Sequence, residues 1–251
     1  GSGPAEPVEV RTAATRFVEW LSGIPVPPIP GRVRFNVPAI VVGGSVIQDV
    51  RFAAMPEDRG WQIDGLRAEL PGRSTFQAAG RLSTGENVGF GGVVRLAVGQ
   101  PATFAAWWRG KSQDGAGRLL APFDLSGRAT VNLDGVSVEG MTTQIGDATI
   151  TGGFSWSRAA PNALARSLRT DVRADRLDFS QIRALAELLG GRDFSDATAI
   201  ADSYAIKLTA GELTIDDVRM RDVVVDAAFA DGGLTVSGIE VGDIGGAAIK
   251  V

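Results

Sequence analysis

The sequence predicts a mainly β fold, built as a largely antiparallel sheet with two amphipathic helices. Apolar and polar residues alternate along most of the chain, as in Val94-x-Leu96-x-Val98 and Val33-x-Phe35-x-Val37. A period of two gives a β-strand one apolar and one polar face. The 33 glycines supply turns for many short strands. A long internal repeat with conserved alternation provides the third observation.

Two segments depart from the alternation and have helical spacing instead. Residues 8–22 place Phe17 and Leu21 on one stripe, and residues 178–189 do the same with Ile182 and Leu185. In the second segment Asp178 or Ser180 can cap the amino-terminal end, and Gly190-Gly191 can stop the helix. Each segment is predicted to form an amphipathic helix that packs on the sheet.

The internal repeat aligns residues 32–78 with residues 205–251 without a gap. Its identical pairs include Asp49 with Asp222 and Gly65 with Gly238. Apolar positions keep their parity between the two copies. Because a slip of one residue would turn every strand inside out, the shared parity predicts strands with the same facing in both copies.

The repeat divides the chain into modules. Residues 1–3 are interpreted as a cloning remnant, residues 4–110 as a helix with a β-meander, 111–176 as central strands, and 177–251 as a second helix and meander, with one continuous sheet expected. No apolar run approaches the ~20 residues that a membrane-spanning helix needs. Since the chain also begins without a signal peptide, we interpret it as an excised soluble fragment whose membrane anchor, if any, was left out.

The composition excludes several classes of function. The chain has no cysteine and no histidine, so disulfides, zinc thiolates, cysteine nucleophiles and a Ser-His-Asp triad are ruled out. The net charge is −4 with no basic run, which argues against nucleic-acid binding. We expect no enzyme activity, no metal and no cofactor.

The acidic residues do not suggest a catalytic pair. Asp216 and Asp217 are adjacent and would point to opposite faces of a strand, with Asp217 predicted to lie in a turn. Asp49 and Asp222 recur at equivalent places, and we predict that each serves a turn before a strand by accepting backbone N–H bonds.

The adjacent indoles Trp107 and Trp108 would lie on opposite faces if their segment were a strand. One of them would then be exposed, either as a contact with membrane or cargo or as a partly buried residue at a rim.

Three stretches give the chain a family resemblance. They are "GGSVIQDVRFAAMPEDRGWQIDGLRAELPGRSTFQAAGRL" at 43–82, "PFDLSGRATVNLDGVSVEGMTTQIGDATITGGFSWS" at 122–157 and "YAIKLTAGELTIDDVRMRDVVVDAAFADGGLTVSGIEVGDIGG" at 204–246. In the order and the alternating pattern of its strand segments, the chain resembles the AsmA family, which includes TamB-like bridge proteins of the Gram-negative envelope. The resemblance implies an extended, twisted sheet curled into a trough with an apolar interior. It also implies a periplasmic location, tethering to the inner membrane through a missing N-terminal anchor, and non-enzymatic movement of phospholipid between the inner and outer membranes.

The partner implied by the resemblance is phospholipid or another acyl-chain lipid, with outer-membrane proteins as a further possibility. Two alternatives stay open: a structural or assembly module that contacts outer-membrane protein machinery, and, least favoured, a carbohydrate-active β protein. A closed core is the simpler interpretation of any single apolar position. The residues predicted to line a lipid groove are Val33, Phe35, Trp61, Ile63, Phe104, Leu133, Ile150, Phe154, Trp156, Ile206, Leu208, Leu234 and Val236.

Overall fold

The structure is a computed structural model that describes residues 31–42, 44–85, 88–109, 120–158, 166–190, 201–230 and 233–250. Within these ranges the chain forms thirteen strands and two helices, so the predicted mainly β fold is confirmed. The chain divides into two compact units, Gly1–Pro122 and Phe123–Val251. The helix predicted at residues 8–22 lies outside the described residues.

Unit 1 contains an open antiparallel meander in which strands are neighbours in chain order. A short helix follows the last of its described strands. The elements are β1 (Val33–Val42), β2 (Ser45–Glu57), β3 (Gly60–Leu70), β4 (Ser74–Ser83), β5 (Gly89–Val98) and α1 (Pro101–Trp108).

Helix α1 was not predicted from the sequence. A strand was considered for Trp107 and Trp108, but Pro101 at the first helical position favours a helix, and the segment winds into two turns. The Trp107 indole N–H donates to the Val42 carbonyl at 3.1 Å. The Gln100 backbone N–H donates to the Gly72 carbonyl at 2.7 Å. Helix α1 therefore lies against the end of the sheet where β1 stops and β3 turns into β4.

Unit 2 holds the other eight strands and the second helix. Its strands also follow one another in chain order. The helix at Phe179–Gly190 confirms the one predicted at 178–189, and Asp178 caps it by accepting the Ser180 backbone N–H at 2.8 Å. The elements are β6 (Phe123–Asn132), β7 (Gly135–Ile145), β8 (Ala148–Ser157), β9 (Ser167–Asp178), α2 (Phe179–Gly190), β10 (Ser203–Ile215), β11 (Val218–Ala230), β12 (Gly233–Ile244) and β13 (Ala247–Lys250).

One strand pair is the exception in the largely antiparallel sheet that the sequence predicts. Strands β9 and β10 are parallel, with Ser203 opposite Ser167 and Leu213 opposite Leu177. The reason is the connection between them, because a crossover that contains a helix returns the chain in the same direction. Every other described pair within the two units is antiparallel.

The internal repeat appears as two meanders with matching registers. Strand β2 and strand β11 have equivalent bounds, and each pairs with the strand before it in the same register. Both copies also shift register at the same place, after Ala53 in β2 and after Asp226 in β11. The conserved parity inferred from the sequence therefore reflects a repeated backbone.

Asp49 and Asp222 occupy a different setting from the one predicted. Both lie inside strands rather than in a turn before a strand, and both have left-handed backbone conformations, with φ of 49° and 51°. Aspartate tolerates this conformation better than most residues. The recurrence of Asp is thus explained by a repeated kink within the strand.

Candidate functional site

The apolar face of unit 2 is organised in rows that run across seven strands, from β6 to β12. Residues directly opposite each other in neighbouring strands point to the same face. With strands about 4.8 Å apart, each row is about 29 Å long. The first row consists of Val131, Val136, Trp156, Leu168, Tyr204, Phe229 and Leu234. The second row consists of Ala129, Val138, Phe154, Thr170, Ile206, Ala227 and Val236.

Both rows lie at the end of unit 2 where β6 turns into β7 and β11 turns into β12, and much of their apolar surface is accessible. Leu234 is 68% exposed, and Val131, Ile206 and Val236 are also exposed. The aromatic residues Trp156, Tyr204 and Phe229 are half-buried. Ala129 and Val138, the β6 and β7 members of the second row, are buried, whereas the other members of both rows are half-buried or exposed.

At the opposite end of the same strands the apolar side chains are covered. Helix α2 packs against β9 and β10, with Leu188 fully buried and Ala184 nearly so. Burial of the apolar face therefore changes along the strands, from a core beside α2 to a partly open surface at the two rows. The covered residues at this end include Phe123, Thr143, Ile145, Ile150, Leu177, Ala210, Leu213, Val223 and Val241.

The other face of unit 2 is polar and carries charges of alternating sign. Lys207 stands opposite both Asp171 and Asp226, and its ammonium lies 3.3 Å from the Asp226 carboxylate. Arg221 stands between Glu212 and Asp243, with its guanidinium 3.8 Å from the Asp243 carboxylate. Such solvated ladders suit a water-facing surface. Only the face with the two rows can offer an apolar environment.

Unit 1 has a smaller apolar face of the same kind. Phe35 and Phe52 stand opposite each other in β1 and β2, with their rings stacked at a centroid distance of 6.1 Å. Phe35 is 59% exposed, since it lies on the first described strand of the unit. The row continues across β3, β4 and β5, and comprises Phe35, Phe52, Leu66, Ala78 and Val94.

A second row of unit 1 lies nearer the turn from β2 to β3. Trp61 stands opposite Pro56 and Leu82, and Leu82 stands opposite Phe90. A Cβ atom at Gly92 would come within 2.8 Å of the tip of the Phe90 ring, which shows that this ring lies over the glycine. All four side chains of the row are half-buried.

The residues predicted to line a groove fall into three groups. Three are buried, five are exposed and five are half-buried. The buried residues are Ile63, Phe104 and Ile150; the exposed ones are Phe35, Leu133, Ile206, Leu234 and Val236; the half-buried ones are Val33, Trp61, Phe154, Trp156 and Leu208.

Two of these predictions were wrong about location. Phe104 belongs to helix α1, where it is 2% exposed and stacks on Trp108, because the segment is helical rather than part of a central strand. Leu133 lies in the turn between β6 and β7, where the alternation no longer defines a face.

Several members of the first row of unit 2 were not predicted from the sequence, although they lie at apolar positions of alternating segments. Val136 and Leu168 stand directly opposite Trp156, which was identified. Tyr204 and Phe229 continue that row into the second meander. What the sequence could not supply was the pairing register, which decides which alternating positions meet across strands.

The acidic groups do not assemble into a reactive centre. Asp175 accepts backbone N–H bonds from Thr149 at 2.8 Å and Arg176 at 2.7 Å, and these bonds lower the pKa of its carboxyl, the Thr149 bond most. Its role is to hold neighbouring backbone. Asp216 and Asp217 lie in the turn between β10 and β11, as predicted for Asp217. The described residues contain no group of three or more acidic side chains placed to bind a metal ion.

Comparisons with known proteins give no match, so the proposed function rests on the geometry of the described residues. No family model, no curated protein and no solved structure matches the chain. Neither described helix has the length and apolar character required to cross a bilayer. The distinctive feature of the described chain is the pair of partly open apolar rows in unit 2, with a charged face on the other side of the same strands.

Proposed function

We propose that this protein shields the acyl chains of a lipid from water, without catalysing a reaction. The observation that carries the proposal is a pair of apolar rows about 29 Å long on one face of unit 2, in which every side chain except Ala129 and Val138 is half-buried or exposed. Monomeric proteins rarely leave large contiguous apolar surface exposed unless it binds something. A flexible hydrocarbon chain can follow a row of side chains of mixed size.

The energetics of lipid transfer explain why such rows are useful. A phospholipid outside a bilayer exposes roughly thirty methylene groups, at a cost on the order of 20–25 kcal/mol, taking ~0.8 kcal/mol per methylene. Contact with the rows replaces part of that lost apolar environment. An element that lets lipid move needs continuous apolar contact more than it needs a strong polar bond, since a tight clamp would hold the cargo.

The distribution of polar groups supports the same function. Thr170 is the only polar member of the second row, and the Tyr204 hydroxyl of the first row accepts the Ala201 backbone N–H at 3.1 Å. Charged residues such as Lys207 and Asp226 stand on the opposite face. The apolar face therefore offers hydrocarbon contact without a charged side chain in either row.

The resemblance to the AsmA family gives this binding surface a setting. In that setting the protein lies in the periplasm, tethered to the inner membrane in its full-length form, and helps phospholipid pass between the inner and outer membranes.

The proposal is tested by binding phospholipid to the purified protein. The protein is incubated with vesicles of phosphatidylethanolamine and phosphatidylglycerol, separated from them, and analysed by mass spectrometry of the extracted lipid. A photoreactive residue placed at Val236 should cross-link to the retained lipid, whereas the same residue at the neighbouring Thr235, on the charged face, should not. Absence of retained lipid, or equal cross-linking from the two positions, would overturn the proposal.

A further inference from the structure

The two meanders of the repeat differ at one edge. Strand β1 corresponds to β10, and each pairs in the same register with the following strand. Strand β10 also pairs on its other side with the parallel strand β9. In the described part of the chain β1 pairs only with β2, so the equivalent edge of β1 is vacant.

Equivalent residues of β1 and β10 differ in their exposed fraction, because only β10 has a neighbour on this edge in the described part of the chain. Ile40 in β1 is 38% exposed, whereas the equivalent Leu213 in β10 is 6% exposed. Each residue has an aliphatic partner on the following strand, Ile47 for Ile40 and Met220 for Leu213. The difference on the other side is β9 and its helix, which pack against β10. Strand β1 thus carries apolar side chains suited to a neighbour that the described structure lacks.

A second comparison points the same way. Phe35 is 59% exposed, whereas its equivalent Leu208 is half-buried between Val172 of β9 and Val225 of β11. Val37 is half-buried, whereas its equivalent Ala210 is 1% exposed. At these three positions the β1 residue is the more exposed member of the pair, whereas at the start of the strand Val33 is half-buried and its equivalent Ile206 is 40% exposed. Strand β10, the internal copy of β1, therefore shows how this edge looks when a parallel strand is paired with it.

Pro38 would be expected to block strand addition, because proline has no N–H to donate to a neighbour. Its equivalent in β10 is Gly211, and the β9–β10 ladder skips that position, passing from Ala210 to Glu212. The missing N–H of Pro38 therefore falls where the occupied edge makes no pair. A Cβ atom at Gly211 would lie 2.8 Å from the Asp175 backbone oxygen of β9, so a strand beside Pro38 must bow away from β1 at that point and pair with the stretches on either side.

We propose that the edge of β1 binds an extended polypeptide strand that runs parallel to it in the register that β9 uses on β10. The partner has apolar side chains at alternate positions, as β9 does with Leu168, Val172 and Ala174. Backbone hydrogen bonds provide the affinity, and contacts with Val37 and Ile40 on the apolar face select the register. This inference is independent of lipid binding.

A register-specific cross-link tests the proposal on the whole chain. The protein has no cysteine, so Phe35→Cys introduces a single thiol. A synthetic peptide with the sequence of Ser167–Asp178 carries Val172→Cys, the position that faces the equivalent Leu208. Disulfide formation requires Cα atoms within about 7 Å. We expect a cross-link yield at least several-fold above that of a peptide with the same residues in reverse order.

Matched peptides and hydrogen exchange complete the test. A peptide with Arg173→Cys instead of Val172→Cys places the thiol on the opposite face and should cross-link poorly. Hydrogen exchange of the unmodified protein with the unmodified peptide should slow in β1 and stay unchanged in β10. Equal yields from the three peptides, preference for the reversed peptide, or protection at β13 without protection at β1 would each overturn the proposal.

Discussion

Arg166 and Asp202 hold the starting ends of the two parallel strands of unit 2 together. The Asp202 carboxylate accepts the Arg166 backbone N–H at 2.7 Å and its guanidinium at 2.8 Å. In return the Asp202 backbone N–H donates to the Arg166 carbonyl at 2.9 Å. Since Arg166 precedes β9 and Asp202 precedes β10, this reciprocal contact sets the register in which Ser167 faces Ser203.

The contact should make unfolding of unit 2 depend on pH in acid. Hydrogen bonds from Arg166 hold the pKa of Asp202 at about 2, below its ordinary value of 3.8. Because the pKa is lower in the folded state, the stabilisation is complete above the ordinary pKa and is lost as the pH falls towards about 2. Asp202→Asn should therefore lower the thermal midpoint at neutral pH by a small amount, because the pair is exposed to solvent.

The control for Asp202→Asn is its own pH dependence. The difference in midpoint between the natural chain and the variant should be constant near neutral pH and should shrink between about pH 4 and pH 2. Scanning calorimetry measures both midpoints. A difference that persists unchanged at pH 2 would show that the carboxylate charge does not contribute.

The parallel pair illustrates a limit of prediction from the sequence. The helix at Phe179–Gly190 was predicted from its apolar spacing, and the mainly β fold from alternation. The direction of β9 relative to β10 was not predicted, because the alternation of apolar and polar residues is the same in parallel and antiparallel strands. The deciding information was the length of the connection from β9 to β10, which is long enough for a crossover.

The register shifts illustrate a second limit. Trp61, Ile63 and Leu66 share an apolar pattern although Ile63 and Leu66 are three residues apart, which strict alternation does not allow. A bulge at Asp64-Gly65 restores the facing of Leu66. The same anomaly recurs at Leu234, Val236 and Ile239, with Gly238 at the bulge. The sequence repeat shows that the three-residue spacing occurs in both copies. Only the strand pairing shows that a bulge causes it.

The left-handed conformation of Asp49 predicts which substitutions the strand tolerates. Asp49→Asn and Asp49→Gly should have little effect on the free energy of unfolding, because both residues adopt positive φ readily. Asp49→Val should lower it by roughly 1–2 kcal/mol, the cost of this conformation for residues with a bulky side chain. Denaturant titration measures the three values.

The glycine variant also separates conformation from charge at Asp49. The Asp49 carboxylate lies 2.8 Å from the Arg51 guanidinium, and Asp49→Gly removes that pair while keeping the backbone conformation. If Asp49→Gly proved as destabilising as Asp49→Val, the ion pair rather than the backbone would be the reason for aspartate at this position.

Gly80 and Gly65 form a matched pair within the meander of unit 1. A Cβ atom at Gly80, where φ is 157°, would lie 2.3 Å from the Gly91 backbone oxygen, whereas one at Gly65 would meet nothing within 4 Å. Gly80→Ala should therefore destabilise the unit by roughly 1–3 kcal/mol. Gly65→Ala should be neutral or slightly stabilising, since alanine restricts the unfolded chain. Equal losses in urea unfolding would contradict the close contact.

Val236 and Thr235 offer the sharpest test of lipid shielding, because they are adjacent, both exposed, and on opposite faces of β12. Val236→Asn places an amide in the second row, whereas Thr235→Asn makes a comparable change on the charged face. The free energies of unfolding should be similar for the two variants, since neither side chain is buried. The amount of phospholipid retained per protein should fall for Val236→Asn and stay unchanged for Thr235→Asn, because an acyl chain that crosses the row would have to desolvate the amide. Retention that is equal in both variants would mean that lipid, if bound, does not lie along the rows.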